Sequence, residues 1–199
     1  MSRLLVFGLV AAGLLGVATP GRAEDRQVRP NVGVAFKGDT TLVDNDNAAG
    51  SAHATYGINA TWLGDIVGVD VDASTSPGFF QSDRHLVLSS NVSTVVGDLV
   101  IAAPRRLTEY SLRLYFVAGG GIMRVAKADS LAIFNVSDVL PAMDVGVGAV
   151  GFLTSRAGVA WEVRRFQSFG GAAQSAATLS GGPERLSFWR ASMALVLRY

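Results

Sequence analysis

The last eleven residues, Trp189-Arg-Ala-Ser-Met-Ala-Leu-Val-Leu-Arg-Tyr199, alternate between two kinds of side chain. Counted back from Tyr199, every second residue is apolar, and the residues between are mostly small or polar. Successive side chains of a β-strand point to opposite faces, so the two rows would lie on opposite sides of a sheet. An aromatic residue at each end of the apolar row fits the two interfacial girdles of a bilayer. The stretch therefore predicts a membrane-spanning strand.

The same unit, about ten alternating residues followed by a turn or a polar loop, recurs through the chain, as is typical of transmembrane β-barrels. Short and long connections alternate, which fits the short periplasmic turns and longer external loops of outer-membrane barrels. The pattern predicts an all-β fold, an eight-stranded antiparallel up-and-down transmembrane β-barrel with both ends on the short-turn side. The predicted short connections are residues 63–66, 104–110 and 154–158, and the predicted long ones are 38–51, 75–85, 127–141 and 170–182.

In two segments, the sequence does not decide which of the alternating residues face lipid. Residues 86–103 are too long for a single span, and we prefer the phase that turns Leu99 to lipid, because the other phase would expose Asp98 there. Arg165 falls by parity on the lipid face, where a charge at the bilayer midplane costs roughly 2–4 kcal/mol. Either its long side chain extends to an interface, or a bulge near Phe166 changes the phase.

The two rows differ in residue size, and this difference orients the barrel. One row carries Val, Leu, Ile, Trp, Tyr and Phe almost without interruption, whereas the other carries Gly, Ser, Thr, Asn and single charges. The interior of an eight-stranded barrel is only wide enough for side chains to fill, so we place the small row inside. A soluble lipocalin-type carrier would have the opposite polarity. The main inward charges are then Lys37, Asp70, Asp72, Asp98, Arg113, Asp144, Glu162, Arg164 and Arg190.

These inward charges have two interpretations. They could form a proton or ion path across the membrane. We favour a plug of opposite charges, because an unpaired charge is costly to bury and eight strands leave no open pore. In that case we expect Arg113, Asp70 and Asp72 to approach Glu162 and Arg164 across the narrow barrel.

The N-terminus has the three parts of a secretory signal peptide. Arg3 gives a positive start, an apolar run follows, and Gly21-Arg-Ala23 is a small-residue exit. An uncleaved anchor is the less favoured alternative, because the run is short for a span of about 20 residues. The predicted cleavage lies between Ala23 and Glu24, which gives a signal peptide over residues 1–23 and an outer-membrane barrel domain over residues 24–199.

Composition and the remaining motifs indicate no catalytic, cofactor or metal site. Cysteine is absent, and the net charge of the whole chain is only +1, which gives no reason to propose a nucleic acid partner. The two histidines, His53 and His85, have no spacing that supports a zinc site. We interpret both as solvated loop residues rather than as parts of a hydrolase built around Ser82-Asp-Arg-His85. The sequence therefore predicts a protein that is not an enzyme.

The mature chain resembles the small OmpA-like and OmpX-like bacterial outer-membrane β-barrel proteins over nearly all of residues 28–199. The closing strand and the aromatic-then-glycine segment Leu112-Arg-Leu-Tyr-Phe-Val-Ala-Gly-Gly-Gly121 carry the resemblance. It implies an integral, monomeric outer-membrane protein that is secreted to the periplasm and contacts outer-membrane lipids and lipopolysaccharide. It also implies periplasmic chaperones and the barrel-assembly machinery as partners during biogenesis. The assembly signal would be Trp189, Leu195, Leu197 and Tyr199.

The resemblance leaves several functions open. Full-length OmpA has a periplasmic peptidoglycan-binding domain that has no counterpart here, so wall anchoring is not implied. Our first hypothesis is a non-enzymatic outer-membrane barrel that serves envelope integrity or surface interaction through its long loops. The alternatives are a barrel enzyme that acts on lipid or peptide at the outer leaflet, a narrow pore and, less favoured, a soluble lipocalin-like carrier.

Overall fold

The chain folds into one closed barrel. A computed structural model describes residues 25–40, 52–79, 87–104, 112–129, 136–169 and 185–199. Each strand pairs antiparallel with the next along the chain, and the last pairs with the first, which confirms the predicted eight-stranded up-and-down topology. The strands are β1 (Asp25–Thr40), β2 (His53–Leu63), β3 (Val67–Pro77), β4 (Val87–Ala102), β5 (Leu112–Asp129), β6 (Val136–Phe152), β7 (Ala157–Ser168) and β8 (Leu186–Arg198).

The connections that can be compared with the prediction lie at the short-turn end. Gly64 N–H donates to the Val67 carbonyl oxygen at 2.9 Å, and Thr154 N–H donates to the Ala157 carbonyl oxygen at 3.0 Å, so two of the predicted short turns are present. The predicted signal peptide, His85 and most of the long connections lie outside the described residues. Within the described part of the chain, no helix is long and apolar enough to cross a membrane.

The outward face of the wall is apolar. Ile58, Leu99 and Val147 are each at least 51% exposed and point away from the interior. The preferred phase of residues 86–103 is confirmed, because Asp98, the neighbour of Leu99, is only 4% exposed. A wall with bulky apolar side chains outside and buried carboxylates inside is suited to lipid, and its polarity is the reverse of that in a lipocalin-type carrier.

The predicted loop over residues 127–141 is too long at both ends. β5 continues to Asp129 and β6 begins at Val136, because the backbone ladder between the two strands extends past the point at which polar residues appear in the sequence. Pro141 lies inside β6 rather than in a loop. Pro141 pairs with Ile122 of β5, and on the other side its carbonyl oxygen accepts a hydrogen bond from Phe169 N–H at 2.8 Å, just past the end of β7. A missing N–H is tolerated at such a place, where the neighbouring strand has ended.

The interior is layered along the barrel axis. Charged side chains occupy its middle, and buried apolar side chains lie on both sides of them. The outer apolar cluster, on the side of the long connections, comprises Ala35, Phe79, Val92, Val96, Met123, Val125, Leu140, Ala142, Phe166, Leu186 and Phe188. The inner apolar cluster, on the side of the short turns, comprises Leu63, Val100, Ala102, Tyr115, Val117, Val150, Ala160 and Val196. The charge layer between them comprises Arg29, Asp70, Asp72, Asp98, Asp144, Glu162, Arg164 and Arg190.

Candidate functional site

Arg164 is the centre of the charge layer. Its side chain is 0% exposed, and its guanidinium donates to four carboxyl groups from four strands. The distances are 2.7 Å from Nη2 to Asp70 Oδ2, 3.0 Å from Nη1 to Asp144 Oδ2 and 2.5 Å from Nε to Glu162 Oε1, and Nη1 also pairs with Asp98. One planar guanidinium can serve several carboxylates because it presents five donors in a fixed fork.

Two further arginines complete the layer. Arg29 Nη2 donates to Asp70 Oδ1 at 2.8 Å, and its Nη1 donates to the Tyr115 hydroxyl at 3.0 Å. Arg190 forms a bidentate pair with Asp72, with distances of 2.9 and 2.7 Å. The guanidinium of Arg190 also lies 4.8 Å from the centre of the Phe166 ring, so the charge layer packs directly on the outer apolar cluster.

Glycines on the inward rows make the space for these side chains. A Cβ atom at Gly119 would lie 2.2 Å from Asp98 Oδ1, and one at Gly146 would lie 2.6 Å from Arg164 Cγ. Any larger residue at either position would overlap a charged side chain of the neighbouring strand. The run of glycines at 119–121 is therefore a place where a lumen side chain packs close to the wall.

Of the predicted inward charges, seven lie in the charge layer and two do not. Arg113 points inward but lies at the short-turn end, where its Nε donates to the Ala103 carbonyl oxygen at 2.9 Å and its Nη2 to the backbone carbonyls of Gly64 and Asp65. The expectation that Arg113 approaches Glu162 and Arg164 is therefore wrong. The seven in the layer are Asp70, Asp72, Asp98, Asp144, Glu162, Arg164 and Arg190.

Lys37 is the second departure. It lies at a β-bulge, because Phe36 pairs with Trp189 and Asp39 with Ser187, so that two residues of β1 face one residue of β8. Lys37 has a φ of 50° and is exposed. The prediction that it is an inward, buried charge is wrong, because the bulge interrupts the alternation that the sequence pattern assumes.

Sequence reasoning missed Arg29 and Tyr115. β1 begins at Asp25, so the strand extends back beyond Pro30. Continuing the alternation backward past Pro30 would have placed Arg29 on the inward row, and that was the available signal. Tyr115 is two residues from Arg113 and therefore belongs to the same inward row, but it carries no charge. A search for charged residues omits its hydroxyl, which donates to Glu162 Oε2 at 2.9 Å.

Arg165 faces outward, and its strand has no bulge. The pairing of β7 with both neighbours is continuous through Arg165 and Phe166, which rules out a change of phase there. The Arg165 guanidinium lies 5.8 Å from the centre of the Trp189 ring on β8. Arg165 is three residues from the end of β7 at Ser168, so its side chain can reach the outer interface while its stem packs on the wall.

The predicted assembly-signal residues all lie on the outward row of β8. Trp189 is half-buried, and Leu195, Leu197 and Tyr199 are exposed to 51%, 44% and 71%. Beside them, Arg198 forms a bidentate ion pair with Asp25 of β1, with distances of 2.6 and 2.8 Å. The apolar row is therefore free to contact other molecules while the inward side of the same strand closes the barrel.

His53 is not a solvated loop residue, and that interpretation is wrong. It is 4% exposed, and its ring centre lies 5.3 Å from that of Phe79. In the part of the chain that the structure describes, its buried Nε2 atom has no hydrogen-bond partner. Among the described residues, no three His, Asp or Glu side chains are arranged to hold a metal ion.

Solved structures of small outer-membrane barrels are similar to this chain. Neisserial surface protein A matches with a TM-score of 0.62 at 11% identity, over 87% of this chain and 97% of that one. OprG of Pseudomonas aeruginosa matches with a TM-score of 0.59 at 12% identity, over 88% and 95%. The N-terminal β-barrel domain of P. aeruginosa OprF matches with a TM-score of 0.51 at 11% identity, over 88% and 97%.

No family model matches the sequence, and no curated protein sequence is detectably similar to it. The likeness therefore rests on three-dimensional structure, and at these identities it concerns the fold. The barrel expected from the resemblance to OmpA-like and OmpX-like proteins is confirmed at that level. The chain has the fold of the small eight-stranded outer-membrane β-barrel proteins.

Proposed function

We propose that the protein is an integral barrel of the outer membrane with a sealed lumen, and that its role is non-enzymatic. It would support the envelope or interact at the cell surface through its long external connections. The observation that carries this proposal is the layered interior: a dense charge layer lies between two apolar clusters, so the lumen is filled. The outward apolar wall supports location in a membrane, and cell fractionation tests which membrane.

Aromatic contacts close the lumen on the outer side. The rings of Phe166 and Phe188 stack with centres 5.1 Å apart, and Phe79 meets Phe188 edge-on at 5.2 Å. Next to the charge layer, a cavity lined by Arg29, Tyr115 and neighbouring side chains has a volume of about 10 Å³, which is room for about one water molecule. An ion crossing the barrel would have to leave water at both apolar clusters, which is costly.

The sealed lumen predicts that the purified protein conducts almost no steady ion current. Planar-bilayer recordings should show a baseline close to that of the empty bilayer, because side chains fill an eight-stranded interior. A change in gel migration on boiling would verify that each sample holds a folded barrel. As a positive comparison, Phe166→Ala combined with Phe188→Ala should raise the current by emptying the outer apolar cluster. A stable open channel in the parent, with an ion selectivity that Glu162→Ala alters, would make the narrow-pore alternative correct.

We also propose that lipopolysaccharide and other outer-membrane lipids contact the wall, with Arg165 and Trp189 at the outer interface. An arginine that extends along a lipid-facing wall needs an anionic or hydrated partner at its end, and phosphorylated glycolipid headgroups supply one. The barrel-assembly machinery and periplasmic chaperones remain proposed partners. The apolar outward row of β8, with Tyr199 directly after it, supports the barrel-assembly machinery as a partner. We propose in addition that the protein is a monomer.

The lipid proposal predicts a specific loss for Arg165→Gln. In vesicles of neutral phospholipid, the variant and the parent should unfold in urea at similar concentrations. Adding lipopolysaccharide to the vesicles should stabilise the parent by about 1 kcal/mol more than the variant, the usual contribution of one basic side chain near an anionic surface. Arg156→Gln is the matched control, because Arg156 is exposed in a turn at the opposite end of the barrel. Equal stabilisation of all three proteins would contradict the proposed contact.

A further inference from the structure

The charge layer holds more carboxyl groups than guanidinium groups. Five buried carboxyls face three buried arginines, and the carboxyls are not equally provided with donors. Asp70 accepts hydrogen bonds from Arg29, Arg164, Thr61 and Asn59. Asp72 has the bidentate pair with Arg190, and Glu162 has Arg164 and the Tyr115 hydroxyl.

Asp98 and Asp144 are the two carboxyls with the fewest donors. Each accepts a hydrogen bond through one oxygen only, Oδ2, and both Oδ2 atoms accept from the same nitrogen, Arg164 Nη1. The second oxygen of each residue, Oδ1, is buried and has no hydrogen-bond partner among the described residues. Two ionised carboxylates arranged in this way would share a single donor and would leave two buried lone-pair groups unsatisfied, which is unfavourable.

The backbone brings these two carboxyls together. Asp98 of β4 and Asp144 of β6 are both directly paired with Gly119 of β5, one on each side. Gly119 has no side chain to separate them, and Asp98 Oδ1 lies in the space that a Cβ atom would fill. The two carboxyl groups also contact one and the same nitrogen, Arg164 Nη1, so they lie side by side in the layer. One of them can donate to the other only if it carries a proton.

We propose that Asp98 and Asp144 bind one proton between them in the folded barrel. The neutral carboxyl donates a hydrogen bond to its ionised partner, and the ionised partner keeps its pair with Arg164. The proton removes one of the excess negative charges of the layer and satisfies a carboxyl oxygen that the arginines do not reach. Two carboxyls in one site commonly share a proton for this reason, and the pair then titrates as a unit.

This proton site goes beyond the proposed sealed-barrel function and makes the stability of the barrel depend on pH. In the unfolded chain both carboxyls ionise near the ordinary range, about pH 4. The folded state therefore binds more protons above that range, so the free energy of unfolding should fall as the pH rises, until the folded pair also loses its proton. The other titratable and charged groups of the layer around the pair are Asp70 and Asp72 from β3, Tyr115 from β5, Glu162 and Arg164 from β7, Arg190 from β8 and Arg29 from β1.

Infrared spectroscopy of the folded protein in lipid vesicles at neutral pH tests the proposal. A protonated carboxyl has a carbonyl stretch above the amide I band that shifts down in D2O, and ionised carboxylates lack it. The parent should show this band. Asp98→Asn and Asp144→Asn should each abolish it, because the remaining carboxyl then accepts a hydrogen bond from the amide and stays ionised. Asp39→Asn, at an exposed position of β1, is the matched control and should keep the band.

Urea unfolding between mildly acidic and alkaline pH gives an independent measurement. The parent and Asp39→Asn should lose stability as the pH rises, in parallel with the infrared band, and the two single Asn variants should lose this component of the pH dependence. If an Asn variant fails to fold, as judged by its gel migration, the band and the pH dependence of the parent remain informative. The absence of the band from the folded parent, or its persistence in both Asn variants, would overturn the proposal.

Discussion

Replacing Arg164 with methionine should lower the free energy of unfolding by more than the roughly 3–5 kcal/mol that is usual when one partner of a buried ion pair is removed. Methionine keeps much of the length of the side chain but none of its donors. Four carboxyl groups would lose the guanidinium that they share, and they are buried where water cannot replace it. Urea unfolding in phospholipid vesicles, followed by tryptophan fluorescence, measures the loss.

Arg156→Met is the control for this measurement, because Arg156 is exposed in the turn between β6 and β7. It should change the stability by less than about 0.5 kcal/mol, as surface substitutions generally do. Adding Asp98→Asn and Asp144→Asn to Arg164→Met should recover part of the loss, because fewer ionised groups then lack a partner. An Arg164→Met barrel as stable as the Arg156→Met control would show that the charge layer is hydrated and that the buried-plug interpretation is wrong.

Gly119→Val should be the second severe substitution, and the chain offers a close control in Gly97, the residue next to Asp98, with which Gly119 pairs on β4. A Cβ atom at Gly119 would lie 2.2 Å from the Gly97 carbonyl oxygen as well as from Asp98 Oδ1, so both backbone and side chain must move. Overpacking of this kind costs about 1–3 kcal/mol and sometimes more. The same urea titration should show a large loss, or an assembled barrel should not form.

Gly97→Val introduces the same side chain on the outward face of β4. A Cβ atom there meets nothing within 4 Å, and valine suits a lipid-facing strand position. We expect Gly97→Val to be neutral or slightly stabilising. If the two variants were equally harmful, loss of glycine as such, rather than the space that Gly119 leaves for Asp98, would be the cause.

The fold could be predicted because a wall between lipid and a narrow lumen imposes one simple rule on every strand. Alternation of bulky and small residues indicates which face a side chain occupies, and this was sufficient for Leu99 and Asp98. The rule fails where the backbone departs from regular strand geometry or where a strand continues beyond its alternating residues. The bulge at Lys37 and the strand that continues through Pro141 are both set by pairing with neighbouring strands, which the sequence pattern of a single strand does not report.

The members of the candidate site were harder to predict than the fold. Parity places Arg113 and Arg164 on the same inward face, yet Arg113 meets backbone carbonyls at the short-turn end, whereas Arg164 meets four carboxyls in the middle. The difference is depth along the barrel axis, which depends on the register and tilt of all the strands together. His53 shows the same limitation, since its place at a strand end suggested solvent, while Phe79, just past the end of β3, covers it.

The charges of the layer are distributed unevenly along the chain, and this has a consequence for how the barrel closes. The inward carboxyls Asp70, Asp72, Asp98 and Asp144 come from β3, β4 and β6, whereas the cations come from β1, β7 and β8. A sheet containing only β3 to β6 would carry four carboxyl groups of the layer and none of the three arginines that pair with them. These arginines lie on the first strand and the last two, which are also the strands that complete the ring. Barrel closure and formation of these ion pairs should therefore occur together. Folding intermediates that have an open barrel with paired charges, or a closed barrel with unpaired charges, should be sparsely populated.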